Sequence, residues 1–205
     1  SNGGFENGSS IGLDTTNAAG GNFTYSNVIS NPNGGANVLG LIKLGTGTLT
    51  FTAANTYTGT TTVNVGELDL NAAAGPAIAG NLMINGGTAK LLRSNQINTA
   101  SSLVVSTGTF DLNGNNQTVN SFQLISGSVV GSSGVLASNT AFDVQSGSIS
   151  AALGGATGLT KSGTGTVYLS GADSYTGTTN INGGVLNVGA SAIGSGSITF
   201  GGGTL

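Results

Sequence analysis

Apolar and polar residues alternate along this chain in short runs, each closed by Gly, Asn or Ser. Period-two alternation over about five residues is the pattern of a β-strand with one buried face. Such runs fall at 48–52, 61–65, 67–70, 81–84, 103–105, 109–112, 141–144, 166–169, 179–181, 185–188 and 197–200. Their apolar members keep one parity: Leu49/Phe51, Val63/Val65, Leu68/Leu70, Leu82/Ile84, Phe110/Leu112, Phe142/Val144, Val167/Leu169, Leu186/Val188 and Ile198/Phe200. Between them stand Thr, Asn, Ser or an occasional charge such as Glu67, Asp69, Asp111 or Asp143. One face of each run is expected to point inward and the other to meet water.

The runs sit inside a duplication. LIKLGTGTLTFTAANTYTGTTTVNVGELDL from Leu41 aligns without a gap to LTKSGTGTVYLSGADSYTGTTNINGGVLNV from Leu159, at an offset of 118 residues with 15 of 30 positions identical. The shared positions include Lys43/Lys161, Gly45/Gly163, Gly47/Gly165, Tyr57/Tyr175 and Gly59/Gly177. Weaker matches join Ile29-Ser30 to Ile149-Ser150, and 80–88 to 196–204 after a two-residue slip. A 118-residue period is too long for one solenoid coil, so smaller units must lie within it.

A sandwich or closed barrel needs unlike strands in a non-repeating order. Near-identical short strands, two or three per roughly 20–25 residues, suit a coil stacked on itself. The prediction is an all-β protein, a parallel β-helix whose coils pair at about 4.8 Å, so that about nine or ten coils make a rod roughly 45 Å long. Gly and Asn at the corners supply positive φ and close backbone approach. The whole of 1–205 reads as a single β-helix segment: lead-in coils at 1–40, a first module at 41–158 and a partial second at 159–205.

Composition agrees. Gly supplies 38 of 205 residues and charged residues only 5%, but the 37% hydrophobic fraction separates the chain from a disordered Gly-rich linker. Without Cys there is no disulfide, thiolate nucleophile or Cys-ligated metal, and without His the commonest metal ligand and general base is missing. No cofactor is expected. The net charge of −3, from seven acids and four bases with no basic cluster, excludes nucleic acid as a partner. No apolar run approaches the ~18 residues of a membrane helix. The opening Ser1-Asn2-Gly3-Gly4 is not a leader peptide, so any leader or anchor is expected outside this stretch.

Five groups carry candidate chemistry. Glu67 and Asp69 lie two apart and should share an outward face, as clustered carboxylates do in β-helix enzymes that cleave polysaccharides. The second copy has Val185 and Asn187 there, so a solvated strand face is the expected reading and no catalytic residue is assigned. Asp111-Leu112-Asn113-Gly114-Asn115 resembles the start of an EF-hand loop, but Asn116 and Phe122 stand where the loop needs Gly and Glu, so no metal ligand is assigned. Lys43 and Lys161 are the one charge repeated between copies, and packing or turn satisfaction is expected of them. Tyr57 and Tyr175 precede a Gly turn and are expected as stacked structural aromatics rather than a sugar platform. Thr46, Thr48, Thr50 and Thr52 line one side of a strand, yet Tyr168 replaces Thr50 in the second copy, which breaks the regular array that ice binding needs.

The Lys-bearing GTGTLTF, NTYTGTTTV and GELDL segments resemble the autotransporter-associated β-strand repeat, also called the passenger-associated transport repeat. FDLNGNNQTVNSFQL from Phe110 and SGSISAAL from Ser146 resemble the connecting strands of such proteins, so the resemblance runs from about Phe23 to Leu205. It implies a right-handed parallel β-helix passenger exported to the outside of a Gram-negative cell. The family's usual C-terminal β-barrel translocator is not in this sequence.

Function is expected to be structural: a stalk or spacer in a surface-displayed passenger, not an enzyme, with contacts to host surface, glycan or neighbouring cells. A self-assembling filament or sheath subunit is the alternative, because Gly201-Gly202-Gly203-Thr204-Leu205 lies inside a unit that continues past Thr88 in the first copy. An uncapped last coil stacks end to end on another copy or comes from an excised stretch. A polysaccharide-active β-helix enzyme is the remaining alternative.

Overall fold

The computed structural model describes residues 4–205, and the reading of the first three residues as no leader lies outside them. Three parallel sheets run along one axis. Ten strands from Ser10–Asp14 to Ile198–Phe200 form the first sheet, and nine from Asn22–Tyr25 to Val185–Val188 form the second. A third sheet joins only Gln117–Val119, Val135–Ser138 and Ala152–Gly154. The chain passes from the first sheet to the second and pairs only when it returns one coil later. This is a β-solenoid. By the strand spacing, nine steps of the first sheet span about 43 Å.

Register gives the coil length. Leu41 faces Thr61, Thr61 faces Leu82 and Leu82 faces Leu103, so a coil takes about twenty residues. The coil from Phe142 to Leu159 is the tightest. The one from Ser10 to Gly40 is the longest, its extra residues taken up by short 3-10 turns at Ala19–Gly21 and Asn33–Gly35. Leu41 and Leu159 lie six rungs apart on the first sheet, so the duplication spans six coils.

Alternation becomes a filled interior because every inward residue lies over its counterpart in the next coil. Leu49, Leu68, Ala89 and Phe110 form one column of the second sheet, all fully buried. Val63, Ile84, Val105 and Leu124 form one in the first. Burying each Leu or Phe contributes about 1.5–3 kcal/mol, and one core runs through all the coils.

The inward parity fails at three expected positions. Val65 is 43% exposed, because the strand ends at Val63 and the chain turns through Gly66 at φ +71. Ile198 and Phe200 project from the last rung with no coil over them, and Phe200 is 61% exposed. Strands that the alternation did not mark include Thr88–Leu91, whose core column is only Ala89 and Leu91, and Gly147–Ile149, where Ile149 alone is buried.

Candidate functional site

Inside the first sheet the column of Val63, Ile84 and Val105 also contains a charge. Lys43 pairs in register with Val63, and Lys161 with Val144 and Ile181, so both lysines occupy core positions. Both are fully buried. The four-carbon stem lies with the apolar column, and the ammonium turns to the corner between sheets. There Lys43 Nζ donates to the carbonyls of Leu44 at 2.8 Å, Gly45 at 2.7 Å and Val65 at 3.1 Å. Lys161 Nζ repeats the arrangement on Ser162 at 2.6 Å, Gly163 at 3.1 Å and Gly183 at 3.1 Å. Three donors meet three acceptors, and the third acceptor belongs to the next coil, so each ammonium ties two coils together. Burial pulls both lysines below the ordinary range, and the carboxylates of Asp14 and Asp143 partly offset it.

The glycines of the signature make room for this corner. Gly45 and Gly163 bend the chain at φ +75 and +67, which presents their carbonyls to the ammonium. A Cβ on Gly47 would run into the Gly21 carbonyl, and one on Gly165 would lie 2.8 Å from Ser146 Cβ. On Gly59 and Gly177 it would strike the backbone of Leu39 and Gly158.

The tyrosines of the signature are core residues. Tyr57 and Tyr175 are fully buried, and their hydroxyls pair with Thr61 Oγ1 at 2.5 Å and Thr179 Oγ1 at 2.8 Å. Thr61 and Thr179 take inward positions otherwise held by Leu41, Leu82 or Leu159, and the tyrosine satisfies the polar group this brings into the core. Burial raises both phenols, Tyr57 well above its ordinary range, against the bonds from Thr61 and Thr179.

A second set of buried polar side chains escaped the sequence reading. Where the third side of the solenoid lacks a continuous sheet, side-chain amides stand in for the missing ladder. Gln96 accepts from Ala72 N at 2.6 Å and donates to Ala72 O at 3.1 Å. Gln117 does the same to Ile97 at 3.0 and 2.8 Å. Asn55 accepts from Ile29 N in the coil before and donates to Ala77 O in the coil after, both at 2.9 Å. The matching residue of the second copy is Asp173, which accepts from Leu153 N at 2.8 Å while its buried Oδ2 has no partner. The identity pattern missed these positions because Asn55 and Asp173 differ. The one available signal was a polar residue two before each signature tyrosine.

Among the described residues nothing comparable assembles on the outer face. Glu67 and Asp69 share that face of Glu67–Leu70, as expected, and the register continues Asp69 to Lys90 and Asp111. Partial burial, then the neighbouring Glu67, raises Asp69 to about 6, and its Oδ1 lies buried without a partner. The solvated-face reading holds for Glu67 better than for Asp69. Asp111 and Asn113 close an Asx turn, Asn113 N donating to Asp111 Oδ1 at 2.7 Å, and Asn113 and Asn115 bond to Leu91 O. Thr50 pairs with Thr24 on one side but with Asp69 on the other, and Tyr168 is 56% exposed, so among the described residues no regular threonine array forms. Among the described residues no helix is long and apolar enough to cross a membrane.

The interior columns, the corner lysines and the paired Tyr–Thr hydroxyls define a repeat-built β-solenoid whose signature is structural in form. The chain matches the passenger-associated-transport-repeat twice, at residues 41–70 and 159–188. It is similar to the "Adhesin BmaC autotransporter" of Brucella suis biovar 1 (strain 1330), 34% identical over 182 residues. That alignment covers 85% of this chain, which spans only 5% of the relative's length. No solved structure matches it.

Proposed function

We propose that this chain is a stiff spacer in a passenger displayed on the cell surface, holding adhesive contacts away from the membrane. The observation that carries the reading is the pair of uninterrupted parallel ladders, ten and nine strands long, closed over one filled core. Stiffness then comes from the backbone and the columns, and the exterior is free to vary. In this reading 1–40 leads into a six-coil module at 41–158, with part of a second at 159–205. The passenger repeat and the adhesin relative support an extracellular place and a binding role over an enzymatic one.

A self-assembling filament or sheath subunit is the alternative reading. Electron microscopy of the purified chain distinguishes the two. Monodisperse rods of about 43 Å support the spacer, whereas long end-to-end fibres would replace it with the filament.

A further inference from the structure

The two copies differ at one buried corner in a way that sets up a titration. Asn55 uses both ends of its amide, Oδ1 to the coil before and Nδ2 to the coil after. Asp173 keeps the first bond, to Leu153 N, but as a carboxylate has no donor for the second, and its buried Oδ2 is unpartnered. The coil after it is close, since Asp173 N donates to Ser191 O at 3.2 Å, and Ser191 is held in the left-handed region at φ 64. A proton on Oδ2 gives the carboxyl a donor where the Asn55 amide has Nδ2. We propose that Asp173 is a pH-sensing latch: protonated, it ties the Leu153 coil to the Ser191 coil as Asn55 ties its neighbours, and ionised it releases that corner.

The surroundings favour the acid form. Among the described residues Tyr175 is the titratable group that feels Asp173, no lysine or arginine offsets its charge, and Leu153 N–H is the one donor to it. Burial raises Asp173 from 3.8 to about 7, against the bond from Leu153. The folded chain therefore holds the proton more tightly than the unfolded chain. Stability from this group is complete below about 4 and is lost as pH rises through about 7.

The test uses the whole chain. Carbon-13 titration of the Asp173 carboxyl should show a midpoint near 7, and urea unfolding of the wild type should be weaker at about pH 8 than at about pH 5. Asp173→Asn, which installs the residue of the first copy, should narrow that gap and raise the midpoint at the higher pH. Asp69 titrates in both proteins, so the difference between them belongs to Asp173. A carboxyl that titrates near 4, or an unchanged gap in Asp173→Asn, overturns the latch. The wild-type titration decides the matter alone if the variant fails to fold.

Discussion

The corner at Lys43 and the corner at Lys161 make the same three kinds of bond, while three of the four outward residues at 48, 50, 67 and 69 differ six coils on. Lys, Tyr and the inward Thr are identical in both copies, yet Glu67 gives way to Val185, Asp69 to Asn187 and Thr50 to Tyr168. The division follows cost. An inward residue must match the coils on both sides, and a buried polar group left unpaired costs about 1–3 kcal/mol. An outward residue meets water and answers to little else. The duplication has kept these corner and core contacts and let these outward strand positions drift.

The strongest way to break this comparison is to open the interior. Tyr57→Ala removes a fully buried ring and leaves Thr61 Oγ1 without its partner. The loss should be about 4 kcal/mol by the range for core aromatics, read as a fall in the urea midpoint. Tyr57→Phe keeps the ring and should cost only about 1 kcal/mol. If the two variants unfold together, the hydroxyl pair and not the ring carries the site.

Next in size are the ammonium groups. Lys43→Met and Lys161→Met keep most of the stem but strip three turn carbonyls of their donor. Each should lose about 2 kcal/mol, and the two losses should agree. Hydrogen exchange should quicken at the neighbouring Asn64 and Asn182 amides, which bond back to Lys43 O and Lys161 O. Unequal losses would show that the matched geometry hides unequal roles.

These corners also mark how far the sequence could be read. Strand parity, stacking and the internal copy were visible because each repeats: Leu49 and Leu68 announce their column by spacing alone. What Lys43 touches was not, since three backbone carbonyls leave no trace in residue identity. Asn55, Gln96 and Gln117 were hidden for the same reason, as a polar residue in a Gly- and Asn-rich corner looks solvated until the missing sheet is seen. Val65 misled because alternation continues through the turn at Gly66 after the strand has ended.

The smallest effect is expected on the outer face, and it tests the comparison from the other side. The double change Glu67→Val with Asp69→Asn gives the first copy the residues of the second. Both sites are outward and partly solvated, so the fold should hold and any change in stability near neutral pH should be a small gain. Its sign is set by Asp69, which burial and Glu67 raise from 3.8 to about 6. The folded chain keeps that proton more tightly, so ionisation weakens the wild type as pH rises through about 6, and the variant should lose this part of the pH dependence. Urea midpoints across that range are the measurement. A loss as large as that of Lys43→Met would mean that the exterior of these coils is constrained after all, and the interior would no longer account for what the two copies share.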